Sequence, residues 1–204
     1  MTTTQDCLLD AAEALFVEKG YAATSLRSIA VRADANLAAT HYHFGSKQGL
    51  FAAVFHRRVT PINEARLAAL DALEVDSAKL DIRSVLEAFL QPLVKADAAE
   101  HLPALISRIY SEPQSVIRPM LEKEFGVVAG RFVAALSRLL PDLSITELRW
   151  RFHFLVGSMV QTLSLTMPLG SELAEDRPQD KFERLISFAV AGFLAPEPLL
   201  GESL

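Results

Sequence analysis

Residues 25–50 read SLRSIAVRADANLAATHYHFGSKQGL, and this stretch decides the fold. Leu26, Ile29, Ala30 and Ala33 recur at helical spacing and give a narrow apolar stripe. Thr24 and Ser25 place a hydroxyl where a helix start needs an acceptor for its open N–H groups. Ala33-Asp34-Ala35 then makes a turn, with Asp34 where a positive φ is expected; Asp tolerates that conformation better than most residues with a β-carbon. Asn36 caps a second helix over Leu37 to Phe44, Gly45 ends it, and Ser46 caps a third that carries Lys47 in its first turn. This is the spacing with which a helix-turn-helix presents one helix to the major groove of DNA. On spacing alone, a plain helical hairpin inside an all-α core fits as well.

The second helix is built from small residues. Ala38 and Ala39 allow a backbone to approach DNA closely, and an alanine methyl can touch a thymine methyl. Helical phase turns Thr40 and Phe44 toward the protein and Leu37, Ala38, His41 and Tyr42 outward. The capped start of the third helix offers backbone N–H groups to a phosphate, and Lys47 adds a charge.

Three segments carry a resemblance: LLDAAEALFVEKGY (8–21), TSLRSIA (24–30) and NLAATHYHFGSKQGLFAAVF (36–55). Together they resemble the DNA-binding domain of the TetR/AcrR family of one-component transcriptional regulators. The resemblance implies that Leu37, Ala38, Ala39 and His41 lie near base edges, and that Thr24, Ser25, Arg27, Tyr42, His43 and Lys47 form the phosphate side. Four positions depart from the commonest family pattern: Asp34 stands for a turn glycine, Thr40 for a leucine, His41 for a tyrosine and Gly49 for a helix former. With Gly49 there, no Glu or Gln completes a capping box after Ser46.

The chain has 204 residues, half of them apolar, and a net charge of −5. No apolar run approaches the ~18 residues of a membrane span, and MTTTQDCLLD has neither the basic start nor the cleavage pattern of a secretory signal. One cysteine, Cys7, excludes a disulfide framework and a Cys-rich zinc site. A cytoplasmic protein with no membrane partner follows. The acidic balance argues against indiscriminate nucleic-acid binding. Even residues 1–50 set only Lys19, Arg27, Arg32 and Lys47 against Asp6, Asp10, Glu13, Glu18 and Asp34. Binding therefore has to come from placing cations at helix starts and from pairing two copies. Arg57 and Arg58, further along, read as a solvated face.

Enzyme signatures are missing: there is no G-x-S-x-G, P-loop or G-x-G-x-x-G, and no Glu-x-x-His pair of a di-iron bundle. His41 and His43, two apart on a helix, are poor metal ligands. We expect no catalytic residue, no metal and no cofactor.

The rest of the chain shows no strand pattern or repeat. Helix one spans about Thr3 to Lys19, with Leu8, Ala12, Leu15 and Phe16 as its core face and Gly20 as C-cap. Helix four starts at Ser46, with a kink or break at Pro61. Further helices are expected over 82–96 (kinked at Pro92), 102–111, 114–140, 145–166 and 180–194, punctuated by prolines. The fold class is all-α: an N-terminal three-helix helix-turn-helix domain (1–50), linked by helix four to a C-terminal antiparallel helical domain (51–204) for effector binding and dimerisation. The polar stretch Asp71–Asp81 is the expected boundary.

The last two helices are apolar on more than one side and so must be buried on more than one side. A central core helix explains this, but a two-fold four-helix interface explains it better, with Trp150, Phe154, Gly157, Ser158, Phe182, Leu185, Phe188, Ala189 and Phe193 in the interface. Phe89, Leu93, Ile109, Tyr110, Leu121, Phe125, Phe152, Leu155 and Met159 are candidates to line an apolar effector pocket, with Arg108, His153 and Gln161 to hold a polar head. Residues 101–125 and 135–164 are similar to a TetR subgroup that includes PsrA-type regulators, which implies a fatty-acyl-like or otherwise hydrophobic effector. The function expected is a homodimeric, ligand-responsive repressor on a palindromic operator. A helical dimeric ligand-binding protein without DNA binding is the alternative.

Overall fold

The computed structural model describes residues 3–95, 114–164 and 177–198. Every regular element among them is helical: α1 (Thr4–Ala23), α2 (Leu26–Arg32), α3 (Leu37–Phe44), α4 (Lys47–Val75), a 3-10 turn (Ser77–Lys79), α5 (Ile82–Lys95), α6 (Gln114–Leu139), α7 (Ile145–Ser164) and α8 (Pro178–Leu194). The expected helix over 102–111 lies outside the described residues, and with it the candidate pocket residues Arg108, Ile109 and Tyr110. None of the described helices is long and apolar enough to cross a membrane.

The caps expected at Ser25, Asn36 and Ser46 are formed. Thr3 starts α1 in a capping box with Asp6, whose side chain accepts from the Thr3 N–H at 3.0 Å. Hydrogen bonding to Thr3 holds the Asp6 carboxyl below the usual range. Gly20 leaves helical geometry at φ 81, and a short helical turn then carries the chain to Ala23. α4 runs through Pro61 to Val75, so of the kink or break expected there the break is absent. A mid-helix proline costs about 3 kcal/mol. The burial of Val59 and Ile62 on either side, each contributing roughly 1.5–3 kcal/mol, offsets it. Residues 71–81, the expected boundary, hold the end of α4 and the 3-10 turn.

The chain divides into two compact units, residues 1–63 with 97–126 and residues 64–96 with 127–204. In the first, α1 packs on α2 and α3, and α2 on α3. Leu8, Ala12, Leu15 and Phe16 of α1 meet Ile29 and Ala30 of α2 and Leu50, Phe51 and Val54 of α4 in a closed core. Phe16 and Tyr21 both pack edge-on or tilted against Phe51, at 5.0 and 5.1 Å between ring centroids.

One member of that core is charged. Glu13 is 4 % exposed and accepts from Arg57 at 2.8 Å and from Arg58 Nε at 2.8 and 2.9 Å. Arg57 also reaches Asp10 at 2.7 Å. The solvated face expected for Arg57 and Arg58 is thus corrected: both guanidiniums turn back onto α1, because a carboxylate buried beside them has no other source of compensation.

In the second unit, α5 and α7 each pack on α8. Phe89 of α5 stands edge-on to Phe132 of α6 (5.2 Å) and Phe152 of α7 (4.9 Å). Arg131 and Arg138 of α6 pair with Glu74 at the end of α4, and Arg131 also with Asp71. Arg151, only 7 % exposed, pairs with Glu147 at 2.7 Å and donates to the carbonyls of Gly192, Phe193, Ala195 and Pro196. It thereby satisfies the open carbonyls at the end of α8.

Replacing Glu13 by Gln leaves Arg57 and Arg58 facing a neutral group at a buried position. Urea unfolding of Glu13→Gln should show a loss of about 2–3 kcal/mol, against less than about 0.5 kcal/mol for the exposed Glu18→Gln.

Candidate nucleic-acid interface

α3 is eight residues long and is fixed at both ends. Asn36 Oδ1 accepts from Ala38 N–H at 2.9 Å at its start, and Gly45, at φ 71, donates to the His41 carbonyl at 2.9 Å at its end. The turn before it places Asp34 at φ 50, as its sequence predicts. Thr40 is fully buried and anchors the helix on its scaffold, with Phe44 half-buried beside it. Leu37, Ala38, His41, Tyr42 and His43 are exposed and Ala39 is half-buried; Tyr42 is 86 % exposed.

The start of α4 is held just as closely. Ser46 Oγ accepts from Gly49 N–H at 3.0 Å. A β-carbon at Gly49 would overlap the Phe44 carbonyl oxygen, so the glycine is what lets α3 and α4 follow each other this tightly. Lys47 Nζ donates to the carbonyls of Tyr21 (3.0 Å), Ala22 (3.4 Å) and Thr24 (3.0 Å) and sits 4.3 Å from the Tyr21 ring centroid.

Comparison with known proteins fits this arrangement. Residues 8–54 match the family profile described as bacterial regulatory proteins, tetR family, and residues 87–192 match the tetracyclin repressor-like C-terminal domain. The chain belongs to the TetR family. Solved structures with the same fold include SmeT in complex with triclosan, with TM-score 0.68, 22 % identity and 98 % and 99 % of the two chains covered. A TetR-like transcriptional regulator from Rhodococcus sp. RHA1 gives 0.64, 20 %, and 94 % and 96 %. PfmR from Thermus thermophilus gives 0.60, 18 %, and 94 % and 99 %. No curated protein matches the chain.

Within this TetR-family head, two expected phosphate contacts point elsewhere. The Thr24 side chain is buried, and its hydroxyl donates to the Gly20 carbonyl at 2.7 Å and lies 3.2 Å from that of Leu15. The three N–H groups of Lys47 are taken up by the end of α1. Both side chains are scaffold, which corrects the expectation of direct phosphate contact. Ser25 is exposed, but its hydroxyl caps α2 by accepting from Ser28 N–H at 3.0 Å. Arg27 is exposed and makes no ion pair among the described residues, whereas Arg32 pairs with Glu18 at 2.7 Å.

In the second unit, Phe89, Leu93, Phe152, Leu155 and Met159 are buried together, as a pocket lining or a core would be. Leu121 and Phe125 are half-buried and belong to the other unit, where Phe125 packs against Phe55 at 5.9 Å. Gln161 is half-buried. His153 is exposed and stands 5.8 Å from the Trp150 ring, on the outer side of α7. That corrects its expected role as a polar anchor inside: it falls out of phase with the buried stripe Leu148, Phe152, Leu155 and Met159.

The expected dimer set also divides. Phe182, Leu185, Ala189 and Phe193 are buried within the chain. Trp150 (53 %), Phe154 (59 %) and Phe188 (71 %) stand open, with Gly157 exposed and Ser158 half-buried between them. Phe154, Ser158, Phe188 and Gly192 edge a groove of about 320 Å³ between α7 and α8.

Among the described residues, the buried charges Glu13, Arg66 and Arg151 escaped the sequence reading. Arg66 is 2 % exposed, lies 4.0 Å over the Phe89 ring, and donates through Nε to the Phe89 carbonyl at 2.8 Å. Desolvation lowers its pKa to about 9, which leaves it cationic at neutral pH. That carbonyl lies next to the hydrogen bond that Pro92, lacking an N–H, cannot make within α5. All of these charges occupy core-phase positions, and that is the signal that could have found them.

Two substitutions test this local geometry. The Thr40 hydroxyl is buried with no hydrogen-bond partner among the described residues, so Thr40→Val should raise thermal unfolding stability by about 1 kcal/mol. Gly→Ala inside a helix ordinarily gains up to about 1 kcal/mol; here the sign should reverse, with Gly49→Ala lowering the melting temperature.

Proposed function

We propose that the protein is a homodimeric, ligand-responsive repressor that reads a palindromic operator and is released by a small hydrophobic or amphipathic effector. The observation that carries this reading is the exposed face of α3, with Leu37, Ala38, His41 and Tyr42 outward on a helix anchored by a fully buried Thr40. Leu37, Ala38, Ala39 and His41 take the base edges. Tyr42, His43, Arg27 and the backbone N–H groups at the starts of α2 and α4 take phosphates. Residues 1–50 act as the reader, and helix four leads from it toward the effector-binding part.

The second copy docks on the open face of α7 and α8. Trp150, Phe154 and Phe188 offer large apolar side chains there, and a β-carbon at Gly157 would meet nothing within 4 Å among the described residues, so its small size suits a neighbour from outside. A two-fold axis through this face pairs two readers, for half-sites about one helical turn apart. Repulsion from the acidic net charge makes a single reader weak, so specificity depends on the pair.

For the effector, the aromatic and methionine cluster of Phe89, Phe152, Leu155 and Met159 supports an apolar ligand. The similarity to PsrA-type regulators supports a fatty-acyl-like or otherwise hydrophobic molecule. The similarly folded SmeT has been solved in complex with triclosan. The effector acts only through its difference in affinity between the operator-bound and released forms, typically about 1–3 kcal/mol.

Selection of duplexes from a random pool tests the reading: a palindrome should emerge, with affinity falling steeply with salt. Capture of no duplex at low ionic strength would defeat it. Phe188→Asp should convert the dimer to a monomer by sedimentation and weaken operator binding about 100-fold. Retention of both dimer and affinity rules out this interface.

A further inference from the structure

His41 Nδ1 lies 3.2 Å from the carbonyl oxygen of Gly45. A carbonyl oxygen can only accept, so the ring proton sits on Nδ1. The bond is one half of a closed pair, because Gly45 N–H donates back to the His41 carbonyl at 2.9 Å. The backbone bond fixes the end of α3, and the side-chain bond restrains the imidazole against it. In the neutral ring the lone pair is then on Nε2, and the two ring nitrogens point apart, which turns Nε2 away from Gly45. His41 is exposed, on the same side of α3 as Leu37 and Ala38 one turn earlier.

We infer that His41 is a specificity-determining residue whose Nε2 accepts a hydrogen bond from the exocyclic amino group of adenine or cytosine in the major groove. The inference rests on the DNA-binding reading given above. Its chemistry follows from elimination. Phosphate oxygens only accept, so a neutral ring whose one N–H is already engaged has nothing to give them. Guanine N7 and O6 and thymine O4 are likewise acceptors; in the major groove only adenine N6 and cytosine N4 donate. One position in each half-site is therefore restricted to a base that carries an amino group. A tyrosine, the commoner residue here in the family, both donates and accepts and would not impose that choice.

The test compares the wild-type chain with His41→Phe, which keeps the ring shape but has no acceptor. His41 is exposed, so the substitution does not touch the core. Both proteins are used to select duplexes from a randomised pool. The wild type should fix adenine or cytosine at one half-site position, and His41→Phe should select the same site with that position relaxed. Placing purine for the adenine, or 2-pyrimidinone for the cytosine, should weaken wild-type binding about tenfold and leave His41→Phe within about twofold. Selection of guanine or thymine at the relaxed position, relaxation at no position, or equal loss in both proteins overturns the assignment while leaving DNA binding intact. Failure of both proteins to capture any duplex overturns both.

Discussion

An eight-residue helix is too short to hold itself in water, since nucleation is costly and only a few hydrogen bonds follow. The exposed face of α3 therefore depends on the grip of its surroundings. The decisive contact is the Lys47 ammonium on the carbonyls of Tyr21, Ala22 and Thr24. A cation at the carbonyl end of a helix is favoured by the helix dipole as well as by its hydrogen bonds. It ties the start of α4 to the end of α1, and Gly45 leaves almost no slack between α4 and α3. The Gly20 departure from helical geometry is part of the same device, because it turns the last carbonyls of α1 toward Lys47 and the Thr24 hydroxyl. With these in place, burial of Thr40 fixes which side of α3 faces out.

Buried charges do the orienting elsewhere. Glu13 fixes α1 against α4, Arg66 fixes α4 against α5, and Arg151 fixes α7 against the end of α8. Such groups add little net stability over well-packed apolar residues, but each tolerates only one arrangement of its partners. An apolar contact between two helices can slide by a fraction of a turn. A guanidinium bonded to several carbonyls cannot.

The α7–α8 pair faces a different demand. One side of α7 carries Leu148, Phe152, Leu155 and Met159 into the core, while Trp150 and Phe154 are left open on the other. A helix apolar on both sides leaves aromatic surface in water whenever the chain stands alone. That is the physical basis for placing a second copy there.

Much of this was fixed by the chain itself. The caps at Ser25, Asn36 and Ser46, the positive φ of Asp34 and the short turn at Gly45 are local effects, written into neighbouring residues, so they could be read without knowing the fold. Helical periodicity likewise located α5, α6 and α8 to within two residues, whereas α1 runs on to Ala23, past the end expected at Lys19. What the sequence left open depended on partners distant along the chain. Lys47 and Thr24 look like surface groups until the carbonyls at the end of α1 accept their hydrogen bonds. Arg57 and Arg58 read as solvated until Glu13 turns out to be buried. A polar side chain is assigned to solvent or to an internal partner by whatever tertiary contact competes with water for its hydrogen bonds, and local sequence does not contain that contact. The two apolar sides of α7 and α8 are equivalent in periodicity for the same reason, and only the packing of α5 and α8 decided which side went inside.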